Sequence, residues 1–157
     1  MVPFGIEEDE NGIPTFDIPS KGKRHTAQEI TVMIIGWLKE LAEKRVKKTV
    51  HSAVIAVPFD FDGPQRQAVY KASSIAGFHQ TKVVDSISAV TASFSTSKPA
   101  FEGILVIFDL GASQLDMSVL VADGSSIEVK LSRRAFNLGG NSFNQKILEF
   151  CKDIFKK

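Results

Sequence analysis

Apolar side chains recur at helical spacing over residues 30–41, on one face of a predicted amphipathic helix. The apolar set consists of Ile30, Met33, Ile34, Trp37, Leu38 and Leu41. Thr26 and Glu29 stand just before it at the spacing of a capping box, in which each side chain accepts a hydrogen bond from the other residue's backbone N–H. The pattern therefore predicts a helix that begins after Thr26, with Trp37 largely buried.

Two continuous apolar runs, 53–57 and 104–108, predict strands that are buried on both faces. Pro58 ends the first run, and Asp109 ends the second. The two runs predict the centre of a layered structure.

Apolar and polar residues alternate at 115–121 and again at 127–131, on either side of an Asp123-Gly124 turn. The alternating apolar residues of the first stretch are Leu115, Met117, Val119 and Val121. Together with the run at 104–108, these stretches predict a three-stranded antiparallel meander.

Turn and helix-start signals predict the remaining elements. They are a β-hairpin over 2–18 with an Asn11-Gly12 turn, a polar connection at 20–24, helices at 63–75 and 86–95, a brief strand at 82–84, and a last helix after Gly139-Gly140. Buried strands with helices on both faces make an α/β layered fold. One continuous core is expected to join the central strands to the amphipathic helix.

Composition and charge exclude several kinds of partner. The chain has 157 residues, 43% hydrophobic and 24% charged, as is typical of a compact globular protein. A net charge of +1 predicts neither a nucleic acid nor a membrane as partner. The single Cys151 is typical of a reducing compartment, and the acidic N-terminal residues are unlike a signal peptide, so a cytoplasmic location is expected. The scattered His25, His51 and His79 are expected at the surface.

Three short stretches carry candidate chemistry. Residues 109–116 form a tight loop whose backbone N–H groups suit phosphate and whose flanking carboxylates suit hydrated Mg²⁺. Pro58 with Arg66 suits a switch or a phosphate clamp, and residues 138–140 open a helix whose dipole favours anions. Each stretch alone also has a structural interpretation, as a hairpin bend, a strand stop and a helix entry.

The order of these stretches resembles the ATPase domain of Hsp70-type chaperones over nearly the whole chain. The matching segments are Ala56-Val57-Pro58-Phe59-Asp60-Phe61, Gln65-Arg66-Gln67-Ala68, Ile75-Ala76-Gly77-Phe78, Phe108-Asp109-Leu110-Gly111 and Leu138-Gly139-Gly140. The resemblance implies the actin-like, ribonuclease-H-like ATPase fold, of which the chain carries the middle part. Residues 1–98 would complete the first lobe, and residues 101–157 would begin the second.

The resemblance also implies roles for individual residues. The implied cofactor-binding residues are Asp109, Gly111, Ala112, Ser113, Gln114, Gly139 and Gly140. Asp109 and Asp116 would contact the metal ion indirectly, through water. Pro58 and Arg66 would form the family's switch.

Four positions depart from the family's pattern. Ala112 and Ser113 replace glycines that let backbone approach phosphate, and Gln114 replaces a compact threonine. Ser86 replaces a glutamate that organises metal and water, and a serine hydroxyl cannot carry its negative charge. No catalytic residue is assigned, and ATPase activity is left open.

Two functions remain open. In the first, the chain is a segment of the ATP-binding domain of an Hsp70-type chaperone that couples ATP binding and hydrolysis to protein folding. ATP or ADP with Mg²⁺ would then bind the complete domain, and no cofactor is expected on this chain alone. In the second, it is a catalytically weak or silent Hsp70-like scaffold or co-chaperone. The implied partners are the remainder of an Hsp70-type chain and a J-domain co-chaperone or nucleotide-exchange factor.

Overall fold

The computed structural model describes residues 5–10, 12–18, 23–124 and 126–155, with only the backbone of Ile18 and Lys23. The chain divides into two compact units, and the division falls between Ser86 and Ile87. The predicted lobes, 1–98 and 101–157, stay a prediction.

The first unit contains an antiparallel sheet, a parallel strand pair and two helices among its described residues. In chain order the elements are β1 (Ile6–Glu8), β2 (Pro14–Ile18), β3 (Lys23–Thr26), α1 (Ala27–Val46), β4 (Ser52–Val57), α2 (Gly63–Ile75) and β5 (Gln80–Asp85). Strands β1, β2 and β3 pair antiparallel, and β4 pairs in parallel with β5. The two helices pack against each other.

Both helix starts of the first unit follow their sequence signals. The Thr26 hydroxyl accepts the Glu29 N–H at 3.2 Å, and the Glu29 carboxylate accepts the Thr26 N–H at 3.0 Å, so the predicted capping box is confirmed. Helix α2 begins at Gly63 as predicted. It carries a second capping box between Asp62 and Gln65.

The N-terminal region is more than the predicted hairpin. Strands β1 and β2 pair antiparallel, but the segment expected to be a polar connection contributes β3, which pairs with β2. The predicted hairpin also includes residues 2–4 and 11, which lie outside the described residues. His25 in β3 is only 3% exposed, so the expected surface position is wrong for this histidine. Strand pairing turns alternate side chains inward, and His25 lies on the inward side.

The apolar face of α1 is not buried. Trp37 is 62% exposed, and the prediction that it is largely buried is wrong. Ile35, which is not in the predicted apolar set, is buried instead. Helical spacing shows which face of a helix is apolar, but the rest of the fold decides which face is covered.

The second unit contains the meander and two helices. Its elements are α3 (Ser86–Ser97, whose first residue belongs to the first unit), β6 (Glu102–Leu110), β7 (Gln114–Asp123), β8 (Ile127–Phe136) and α4 (Gly140–Phe155). Strand β7 pairs antiparallel with both β6 and β8, which confirms the predicted meander. The predicted turn is also observed, with the Asp123 carboxylate accepting the Ser126 N–H at 3.0 Å.

The meander buries the face opposite to the one that its alternation suggested. Ser118, Leu120 and Ala122 are buried, whereas Met117 and Val121 are exposed. The buried serine hydroxyl bonds across the strands to Ser132 at 3.0 Å, which satisfies it without water.

The apolar strands are not enclosed on both faces as expected. Ile104 in β6 is 71% exposed, Val54 in β4 is exposed too, and α4 has no buried residue among those described. The mixed α/β class is nevertheless confirmed. The single continuous core is not observed, because the described residues form two compact units. None of the described helices is long and apolar enough to cross a membrane.

Candidate functional site

The candidate phosphate loop is the short connection between β6 and β7, residues 111–113. Its bend is closed by the Gly111 N–H, which donates to the Gln114 carbonyl at 2.9 Å. The amides of Ala112 and Ser113 have no acceptor among the described residues, and the exposed Asp109 has no described partner either. Two backbone donors and one carboxylate therefore remain available at this bend.

The N-terminus of α4 packs directly against this loop. The amide of Gly140 donates to the Gly111 carbonyl at 3.0 Å, and the amide of Asn141 donates to the Ala112 carbonyl at 2.8 Å. A Cβ atom at Gly139 would lie 2.6 Å from the carbonyl carbon and oxygen of Ala112. Only glycine permits this approach at position 139. The close contact brings Gly139 and Gly140 to the same site as the loop.

These contacts change the role of the helix entry. Besides the two amides that bind the loop, the Gly139 N–H donates to the Ser142 hydroxyl at 3.0 Å, and the Ser142 N–H donates to the Gly139 carbonyl at 3.0 Å. The first amides of α4 are thus satisfied within the chain. Gly139 and Gly140 support the loop in this geometry, and the amides that remain available at the bend are those of Ala112 and Ser113.

Asp116 lies next to the loop and is bound by an arginine that the sequence did not single out. The Arg134 guanidinium donates to both carboxylate oxygens of Asp116, each at 2.7 Å. The two side chains are 9% and 14% exposed for Arg134 and Asp116 respectively. Bidentate guanidinium–carboxylate pairs are among the strongest hydrogen-bonded contacts in proteins.

The side chains at this loop do not fit a resident metal ion. Within the described ranges, no group of three or more His, Cys, Asp or Glu side chains could hold one. Asp116 uses both oxygens on Arg134, so Asp109 is left as the carboxylate without a described partner. The water-mediated metal contact predicted for Asp109 stays a prediction, and the one predicted for Asp116 has a competing cation.

The switch residues of the first unit are brought together by Arg66. Its guanidinium donates to the Phe61 carbonyl at 2.9 Å and to the Phe59 carbonyl at 3.4 Å, and the Pro58 carbonyl accepts the Phe61 N–H at 3.1 Å. Arg66 thus holds the loop that follows Pro58. The role of these residues in a switch stays a prediction.

Ser86 lies at the same sheet edge as Pro58. Val57 is paired with Asp85 in the parallel register, so Pro58 and Ser86 follow the carboxyl ends of neighbouring strands. Ligands of α/β folds bind at such edges. Ser86 is half-buried and begins α3. The sequence-predicted residues therefore form two groups, one in each unit.

Arg134 is the residue that the sequence interpretation missed, and a bulge explains the omission. Val119 pairs with Leu131 and Leu120 pairs with Val129, which leaves Lys130 without a partner in the register. Counting back from the Asp123-Gly124 turn without this extra residue would place Arg133 opposite Asp116. A shift of one residue exchanges the two faces of a strand. A strand register that allows for the bulge would have placed Arg134 opposite Asp116.

Comparison with known proteins agrees with the fold class. The architecture is that of an α/β protein with a candidate phosphate loop between two antiparallel strands. The family model described as "Hsp70 protein" matches residues 1–157. The chain is 32% identical over 157 residues to "Heat shock 70 kDa protein, mitochondrial" of Solanum tuberosum, a match that covers 100% of this chain and 22% of the relative. The chain therefore belongs to the Hsp70 family of nucleotide-binding chaperones, which have an actin-like ATPase fold.

The comparison corrects the expected location. The relative is named as a mitochondrial protein, which contradicts the cytoplasmic location expected from the sequence. That expectation depended on a lone cysteine and on the acidic N-terminal residues. Neither property distinguishes the cytoplasm from other reducing compartments.

Proposed function

We propose that the chain is a segment of the ATP-binding domain of an Hsp70-type chaperone, in which ATP binding and hydrolysis are coupled to protein folding. Residues 1–98 would then complete one lobe of that domain, and residues 101–157 would begin the other. The family match over the whole chain supports the proposal. The comparisons give no support to the alternative role as a scaffold.

The observation that carries the proposal is the arrangement of the loop at 111–113. Its two available amides, from Ala112 and Ser113, and the nearby Asp109 carboxylate all lie at the bend, and the close approach of Gly139 fixes the bend against α4. Successive amides at a bend form a concave anion site without any charged side chain. The nucleotide phosphates are the anions that the family binds.

The remainder of an Hsp70-type chain is the first partner that we propose. The chain spans 22% of the length of its curated relative. Its exposed apolar surface is extensive in both units and includes Trp37, Ile104, Phe108, Phe143, Ile147 and Phe150. Exposed apolar side chains in this number are typical of a surface that another segment covers. A J-domain co-chaperone or a nucleotide-exchange factor would be a further partner of the complete protein.

We also propose a mitochondrial location, by analogy with the named relative. A fluorescent fusion of the complete gene product tests this. Fluorescence that stays outside the mitochondria would contradict it.

A segment exchange tests the proposed function. The matched segment of the Solanum tuberosum relative is replaced by this chain, and ATP binding is measured by calorimetry after cooperative unfolding has shown that the chimera folds. We expect the folded chimera to bind ATP, whereas the isolated chain binds it weakly or not at all, because one wall of a cleft provides too few converging donors. A folded chimera without measurable ATP binding would refute the proposal.

Restoration of the family's residues tests the hydrolysis step in the same chimera. Ser86→Glu, Ala112→Gly, Ser113→Gly and Gln114→Thr are introduced together, because residues that act as a unit have non-additive effects. One well-placed electrostatic donor contributes about 10²-fold or more to a rate, so a measurable gain in turnover is expected. Turnover that is already at the relative's level before restoration would show that other residues compensate.

A further inference from the structure

Asp109, Asp116 and Arg134 form one row across β6, β7 and β8. The register pairs Asp109 with Asp116 and pairs Asp116 with Arg134. Directly opposed residues of antiparallel strands point to the same face of the sheet, so these three charges share a face beside the loop at 111–113. Without the guanidinium, the row would present two neighbouring carboxylates, which are the ligands that divalent cations prefer.

Two contacts hold the Arg134 guanidinium in this row, one with Asp116 and one with the Phe136 ring. It donates to both Asp116 oxygens at 2.7 Å, and its central carbon lies 6.0 Å from the centre of the Phe136 ring, which adds a cation–π contact. Since the two charged side chains are largely buried, water competes weakly for the pair. The planar fork of an arginine matches a carboxylate in a way that a lysine does not.

We infer that Arg134 is the resident cation of this loop and that it excludes a divalent metal ion. It neutralises Asp116, repels a second cation, and leaves Asp109 as a single carboxylate. Mg²⁺ is usually bound by one or two carboxylates together with substrate phosphates, so Asp109 cannot retain it when no phosphate is bound. The inference rests on the proposed function and deepens it at the same loop, because it names the cation that the loop carries before a nucleotide binds.

Metal binding to the 157-residue chain tests this inference without any nucleotide. Mn²⁺ replaces Mg²⁺ as the probe, because it is paramagnetic and its free form is counted directly by electron spin resonance. The variants are Arg134→Gln, which frees Asp116, and Arg133→Gln, which removes an arginine of the same strand from the opposite face. A third variant, Asp109→Asn with Arg134→Gln, removes one carboxylate of the freed pair.

The expected result is no saturable Mn²⁺ binding by the wild-type chain or by Arg133→Gln, and saturable binding by Arg134→Gln. The gain should be about tenfold or more in affinity, because a positive charge within a few ångströms of the metal has been removed. Asp109→Asn should abolish this gain. Paramagnetic broadening should then appear at the amides around residues 109–116 in Arg134→Gln only.

Two outcomes would overturn the inference. One is saturable Mn²⁺ binding by the wild-type chain with broadening around Asp109 and Asp116, a measurement that does not depend on any variant. The other is a folded Arg134→Gln chain that gains no Mn²⁺ affinity. If Arg134→Gln does not fold, Arg134→Met, which also removes the positive charge, takes its place, and a folded Met variant without any gain counts against the inference. Because ATP is absent from these experiments, their failure leaves the proposed function untouched.

Discussion

Two loops of this chain follow a strand and lie beside the start of a helix, yet they are held by opposite means. In the first unit the Arg66 guanidinium holds the carbonyls of Phe59 and Phe61, while α2 is capped by its own side chains. In the second unit the backbone amides of α4 hold the loop carbonyls, while Arg134 pairs with Asp116. The loop carbonyls are thus bound by a guanidinium in the first unit and by the start of a helix in the second.

The difference predicts how each loop responds to change. Arg66 is bound to neutral acceptors within seven residues of itself, and its loss leaves neutral carbonyls of two half-buried residues. Arg134 is bound to a carboxylate 18 residues away, and its loss leaves a largely buried charge. An unpaired buried charge costs more than an unpaired carbonyl. The second loop should therefore be the more sensitive of the two.

The largest effect is expected from Arg134→Gln. We expect the free energy of unfolding of the second unit to fall by about 3 kcal/mol, because the largely buried Asp116 side chain loses its partner. Hydrogen exchange of the β7 and β8 amides measures this, with the α1 amides as an internal reference. Arg133→Gln on the same strand should change the exchange little, and equal losses from the two variants would contradict the comparison.

The contrast between the loops also separates what the sequence predicts from what it does not. The starts of α1 and α2 follow from capping residues three positions apart, and such local signals are visible in the sequence. The pairing of Arg134 with Asp116 depends on the bulge at Lys130, which no alternation pattern reveals. The burial of α1 likewise depends on what packs against it, so helical spacing could not predict the exposure of Trp37.

The same limit applies to the candidate site. The motif at 109–116 indicated the loop and its carboxylates, because glycine and acidic residues at a bend are visible in one stretch of sequence. The contact between Gly139 and Ala112 joins distant stretches, so only the folded chain reveals it. Sequence patterns thus predicted which segments form the site, and tertiary structure decided which of their groups remain available.

The second largest effect is expected from Gly139→Ala. Its Cβ would overlap the Ala112 carbonyl group, and forced overlaps of this kind cost about 2 kcal/mol. Gly140→Ala is a matched control, because its Cβ would lie 4.0 Å from the nearest atom, the Ala112 Cα. Urea unfolding followed by circular dichroism compares the two variants. If both are equally stable, the loop is not held against α4 as described.

Arg66→Met should have a smaller effect than either of these changes. It removes two hydrogen bonds to neutral carbonyls while keeping the apolar stem, so we expect a loss of about 1 kcal/mol in the first unit. The fluorescence of Trp37, the chain's single tryptophan, follows the unfolding of that unit. A loss as large as that of Arg134→Gln would show that the acceptor's charge does not set the difference between the loops.

The smallest effect is expected at Glu43, whose side chain forms a partly exposed ion pair with Lys39 in the first unit. The backbone N–H of Val50 and, secondarily, the Lys39 ammonium hold the pKa of the Glu43 carboxyl below its usual value of 4.5. A carboxyl with a lowered pKa stabilises the fold above its unfolded-state pKa, and this stabilisation is lost as the pH falls through the folded-state value.

Glu43→Gln should therefore reduce the free energy of unfolding at neutral pH and flatten the decline of this free energy below pH 4.5. Lys39→Met should keep most of that decline, because the Val50 amide is the larger cause. Trp37 fluorescence in urea from neutral to about pH 3 measures both variants. If Lys39→Met flattens the profile as much as Glu43→Gln does, the ion pair is the main cause, and charge pairing would contribute to both units.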